Sequence, residues 1–217
     1  MTKLILFGLG IAAIAVLALI ALRGANAEVR TTDQRPAGIR DQTGSLDEHA
    51  FWALIDQSAA GATSQERQIA ALRAGLLHLS AEQIAEFQHQ FDTAMRASYS
   101  WDLWGAAYLV NGGASDDGFD YFRCWLISRG RATFETVTAD PDALATLLPP
   151  DSGDDLEFEE LAYVARAAWA EKTGQSPDRM PIVATAPTTE PTGTPFSENP
   201  AELAKRYPRL WERFGER

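Results

Sequence analysis

The residues able to do chemistry crowd into one stretch of this 217-residue chain, from Tyr99 to Phe134. Trp101, Asp102, Trp104 and Tyr108 open it. Asp116, Asp117, Asp120, Arg123 and Trp125 come next, and Arg129 stands near its end. Aromatic rings interleaved with acids and arginines make a wall that is both apolar and charged. Asp116, Asp117 and Asp120 supply hard oxygen ligands of the kind Mg²⁺ or Ca²⁺ takes, and 116 and 120 share a helix face. No alternating calcium-loop spacing accompanies them, so no metal is assigned. The simpler expectation is a Ser115 cap, two acids against the helix dipole, and an Asp120–Arg123 pair. Asp102 with Arg123 or Arg129 offers either an organising ion pair or an acid beside a substrate-binding arginine, and structural pairing is preferred because buried charges need partners.

The remaining reactive residues add little. His49, His78 and His89 fall in different helical segments without metal-ligand spacing. A Ser115–His–Asp set lacks the Gly-x-Ser-x-Gly elbow. Cys124, the one cysteine, excludes an internal disulfide and reads as a small buried hydrophobe. No cofactor is expected, and no catalytic residue is assigned.

Helices must position these side chains. Ser45 with Glu48, Thr63 with Glu66, and Ser80 with Gln83 each show capping-box spacing ahead of an apolar stripe. Asp140-Pro141 starts another helix, and a stripe from Phe158 to Trp169 stops at Gly174. Asn111-Gly112-Gly113 ends a helix rather than turning a hairpin. No segment keeps a period of two. The predicted class is all-α, a small multi-helix domain over 45–174.

Phe51-Trp52-x-Leu54-Ile55, Trp101-Asp102-x-Trp104, and the run Ser115-Asp116-Asp117-x-Phe119-x-x-Phe122-Arg123-x-Trp125-Leu126-Ile127-x-x-Gly130 together resemble a bacterial domain-of-unknown-function family. The resemblance covers about residues 46–146. It implies a small, mostly helical domain and implies no activity. The family pattern often carries a cysteine where this chain has Ala114, which argues against a cysteine nucleophile there.

The ends differ from the middle. Leu4–Leu22 is 19 residues without a polar side chain, long enough as a helix to span about 28 Å, a bilayer's hydrocarbon core. Residues 1–27 are therefore a single-pass anchor or, with Ala25-Asn26-Ala27 as a cleavage site, a signal peptide that leaves the domain secreted or periplasmic. The anchor is preferred because the apolar run exceeds a signal's ~7–15 residues. Lys and Arg counts slightly favour a cytoplasmic C-terminal side. Residues 28–44 read as a linker. Residues 175–198 are a Pro/Thr-rich linker, and 199–217 a short amphipathic helix with Leu203, Tyr207, Leu210, Trp211 and Phe214 on one stripe. Docking of that stripe back on the domain is the preferred reading.

Charge sorts the partners. The net charge of −11 excludes a general nucleic-acid binder, which needs a basic face. Asp140 to Glu160 holds eight acids and no cation, a solvated run or a surface for a basic partner. The leading expectation is a membrane-associated helical module that binds a protein or small molecule through the 101–130 wall. The alternative is a hydrolase or divalent-metal-dependent enzyme built on the Asp/Arg cluster of 102–123. A third reading makes the anchor and linker a tether for a scaffold.

Overall fold

A computed structural model describes residues 44–149, 156–183 and 189–215. Helices account for the regular structure: α1 (Glu48–Ala59), α2 (Gln65–Leu77), α3 (Ala81–Ala97), α4 (Trp101–Asn111), α5 (Asp116–Ser128), α6 (Arg131–Ala139), α7 (Leu144–Leu147), α8 (Val164–Thr173), α9 (Pro200–Arg206) and α10 (Pro208–Phe214). Among the described residues there is no strand; one isolated bridge pairs Ser100 with Thr192. The all-α class is therefore correct. The apolar segment 4–22 and the linker to residue 43 lie outside the described residues. Among those described, no helix is long and apolar enough to cross a membrane.

Side-chain caps set where several helices begin, though not always the residues the spacing picks out. Ser80 and Gln83 form a full capping box on α3. At α1 the cap is Asp47, which accepts from Ala50 N at 2.8 Å; Ser45 instead donates to Glu86. At α2 the cap is Ser64 rather than Thr63. In both cases the cap is the residue directly before the first helical turn, and its backbone is extended.

Two continuous stripes prove to be broken. The stripe from Phe158 is a 3-10 turn, Glu159–Ala162, followed by α8, which ends at the left-handed Gly174 (φ 68°). The C-terminal stripe is two helices. Pro208 has no N–H and crowds the residue before it, so Tyr207 leaves the helical region at φ −129°, ψ 66°. The stripe still faces inward across that bend, with Leu203, Tyr207, Leu210 and Phe214 buried.

Helix α3 packs on α8 and α5, and α2 lies between α1 and α8. Phe51, Ile55, Leu72, Leu76, Ile84, Phe87, Leu103, Leu126 and Phe158 fill the centre. α5 runs through this core: Phe119, Phe122, Arg123, Cys124, Trp125, Leu126, Ile127 and Ser128 are all buried. That placement carries the densest part of the aromatic wall into the interior.

Candidate functional site

Ser100 and Ser115 cap α4 and α5, accepting from Leu103 N at 3.2 Å and Gly118 N at 3.1 Å. Between the two helices the left-handed Gly112 (φ 67°) reverses the chain, a backbone state that suits glycine. The rings of both helices then line up. Trp101 stacks on Trp104 at 5.2 Å between centroids, and Trp104 on Phe119 at 4.8 Å. Phe119 meets Phe122 at 6.4 Å, and Phe122 meets Trp125 at 5.6 Å. This row starts half-buried at Trp101 and Trp104 and passes through the core at Phe119 and Phe122. The Trp104 indole N–H donates to Ala114 O at 3.0 Å. Most of the wall is thus packing: Phe119, Phe122 and Trp125 are buried, and Trp101 and Trp104 are half-buried.

The charged members scatter. Asp116 and Asp117 are exposed in the first turn of α5, and exposed Asp120 accepts from Arg123. Arg123 is buried, with its guanidinium over Tyr99 at 4.7 Å and Phe119 at 5.0 Å, and it also donates to Met95 O. Asp102 pairs with neither Arg123 nor Arg129. It sits on the outer side of α4 and accepts from Arg206 Nε at 2.8 Å. Sequence spacing within 99–134 could not show this, because the partner arrives from 104 residues away. Among the described residues, no three His, Cys, Asp or Glu side chains converge to hold a metal ion. His49 and His78 are exposed, while His89 is half-buried with Nδ1 unpaired. Burial pushes the Cys124 thiol up to about 12, so it stays protonated and inert.

The outer end of the wall is covered by the chain's own C-terminal segment. Trp101 N donates to Thr192 O at 2.9 Å, and Thr192 N to Tyr99 O at 3.0 Å. Phe196 lies 6.3 Å from Trp101 and 5.5 Å from Tyr108, whose hydroxyl donates to Glu198 at 3.3 Å. Part of the Pro/Thr-rich stretch is therefore built into the domain. Three arginines fasten α9 and α10. Arg206 reaches Asp102 and the carbonyls of Thr194 and Pro195. Arg209 binds Asp140 and Asp142, and Asp142 also accepts from Leu210 N at 2.8 Å, capping α10 from outside its own segment. Arg213 donates to the carbonyls of Ala145, Leu148 and Pro149 at the end of α7.

Tyr207 closes this clasp, with its hydroxyl donating to Asp102 O at 3.0 Å. Burial pushes its phenol up to about 12. An unfolded tyrosine titrates near pH ~10 and a free thiol near ~8.5, so the unfolded chain releases protons that folded Tyr207 and Cys124 keep. Their contribution is complete below those values and is lost as pH climbs toward 12. Urea midpoints measured from pH 8 to 12 should fall, and Tyr207→Phe combined with Cys124→Ala should flatten the decline.

The inner end of the wall opens. A cavity of about 300 Å³ is lined by Ala59, Ala62, Thr63, Ser64, Gln65, Gln68, Trp125 and Arg129. The turn after α1 and the start of α2 form one side, and the C-terminal end of α5 the other. Gln68 is its fixed point. It is 1% exposed, and its Nε2 donates to Ser128 O at 2.8 Å. That bond orients the amide so that Oε1 accepts from Arg129 at 3.2 Å. Arg129 Nε donates to Ser128 Oγ at 3.3 Å, and its guanidinium lies 5.6 Å from the Trp125 ring. Although Arg129 reaches solvent, this packing pulls its pKa below the ordinary value by desolvation.

The family model described as "Protein of unknown function (DUF4240)" matches residues 46–171, more than half of the chain. The chain belongs to that family. No curated protein and no solved structure matches it. The DUF4240 match contains every residue lining the cavity and stops within α8, before the Phe196–Arg213 clasp. Of the wall residues, Trp125 reaches the cavity, whereas Trp101, Asp102 and Tyr108 serve the clasp. Thr63 to Gln68 had no place in the sequence-based site. One signal for them exists: Gln68 is a polar residue on the apolar row Gln68, Leu72, Leu76 of α2, all three buried.

Proposed function

We propose that the protein is a membrane-associated binding module that takes a small ligand in the Trp125–Arg129 cavity. The cavity itself carries the reading. Its volume of about 300 Å³ lies at the lower end of small-molecule sites, roughly 300–1,000 Å³. A buried, fully oriented amide and a cation with spare donors give such a space specificity. Screening a library of small soluble molecules by ligand-observed NMR against the full-length protein tests it. Ligands of this site should lose binding to Thr63→Trp, a substitution at an exposed position that fills the cavity. Hits that bind the filled variant as well as wild type would reject the site.

Residues 4–22 supply the membrane association in this reading, as a single-pass anchor. The expected result is that the protein resists alkaline extraction from membranes and that deleting residues 1–27 releases it. A mature N-terminus at Glu28 would replace the anchor with a cleaved signal. No observation favours a metal-dependent hydrolase, since Asp102 and Asp120 are each engaged by an arginine.

A further inference from the structure

We infer that the cavity recognises a small organic monocarboxylate, with Arg129 as the group that binds the carboxylate; this rests on the cavity being the binding site. An arginine carries five N–H donors in a planar fork. In Arg129 the Nε–H goes to Ser128 Oγ and one terminal N–H to Gln68 Oε1. Three donors on the terminal nitrogens are left without a protein acceptor among the described residues. No carboxylate of those residues lies within ion-pair distance of Arg129; the same holds of Arg67, Arg96, Arg166, Arg179 and Arg213, and of these six Arg129 is the one that lines the cavity. A cation in the wall of a cavity, with donors to spare and no carboxylate beside it, suits an anion from outside.

The geometry favours one negative charge on a planar group. Gln68 and the Trp125 ring hold the guanidinium in place, so little ordering remains for a two-point carboxylate contact. The N-terminal end of the 13-residue α2 borders the same space and adds its positive dipole end. A dianion fares worse. Among the described residues, one arginine is the only cation in the lining, so a second negative charge would find no partner there. The volume beyond the fork accommodates a short or ring-sized body against Ala59, Ala62 and Trp125.

The test titrates full-length, nitrogen-15-labelled protein in detergent micelles with sodium benzoate, sodium butyrate and inorganic phosphate at fixed ionic strength. The reporter is the Arg129 side-chain Nε–H resonance. At least one monocarboxylate should shift it saturably, and bind about tenfold or more tightly than phosphate. Arg129→Gln should weaken that binding about tenfold or more, and Thr63→Trp should abolish it. Arg129 reaches solvent, so both variants are expected to fold, which circular dichroism checks. Phosphate binding as tightly as the carboxylates would overturn the assigned class. Shifts that survive Thr63→Trp would mean surface ion pairing only, and would also overturn it. Neutral hits from the small-molecule library that bind the cavity while neither benzoate nor butyrate does would leave the binding site standing and sink the carboxylate. Failure of both carboxylates overturns the carboxylate class, and failure of the library as well removes the binding site.

Discussion

Replacing Arg123 by alanine will destabilise the folded domain by about 3 kcal/mol, the largest loss expected from any single charged side chain here. The cost does not come from the ion pair. Asp120 is 53% exposed and returns to water when its partner is gone. It comes from what the guanidinium and its stem fill: the space between the Tyr99 and Phe119 rings, at 4.7 and 5.0 Å, and the bond to Met95 O. Removing them leaves a gap inside a packed core. For a domain of this size the shift in Tm should be about 6–12 °C. Arg123→Met keeps much of the volume and should recover about half of it. A melt of Arg123→Met as low as that of alanine would show that the charge, not the packing, does the stabilising. Asp120→Ala should cost under about 1 kcal/mol.

The second large effect concerns Gly105, and its sign is the informative part. Within a helix, Gly→Ala ordinarily stabilises by about 1 kcal/mol. A β-carbon at Gly105 would stand 2.2 Å from Tyr207 Oη, 2.8 Å from Tyr207 Cζ and 3.0 Å from Phe196 Cγ. No real side chain accepts such approaches, so Tyr207 must leave its seat on α4 and give up its bond to Asp102 O. Gly105→Ala should therefore destabilise by about 2 kcal/mol and free the segment 189–215. Hydrogen exchange would show faster labelling across that segment and the facing surface of α4, while α1, α2 and α3 keep their protection. A stabilised Gly105→Ala protein would refute the docking of Tyr207 against α4.

These two sites show what the clasp does to the wall. The residues that look most reactive in sequence, Trp101, Asp102 and Tyr108, are consumed by binding the chain's own C-terminal segment. That leaves the opposite end, where exposed Arg129 and buried Trp125 line the cavity. The family match ends before the clasp, so a DUF4240 domain ending there would expose its α4 face.

Much was legible from local rules. The helical class came from period and caps, because a capped amphipathic stripe carries its own hydrogen bonding and its own buried face. The Ser115 cap and the Asp120–Arg123 pair were legible too, since a cap and an i,i+3 pair depend only on positions within one helix. The break at Tyr207-Pro208 was open to the same local reasoning, as a proline bars the helix before it.

What the sequence could not determine was which long-range partner each charge would take. Asp102, Arg129 and Asp142 lie on helices whose relative placement is set by the core, and their partners Arg206, Gln68 and Arg209 are 104, 61 and 67 residues away. Charges accept any opposite neighbour at suitable distance, so only the packed structure chooses among them. The cavity has the same origin: it lies between the start of α2 and the end of α5, where two helices meet without filling the space between their ends. Local sequence specified the helices and their caps; tertiary packing decided that one end of the aromatic wall is sealed and the other open.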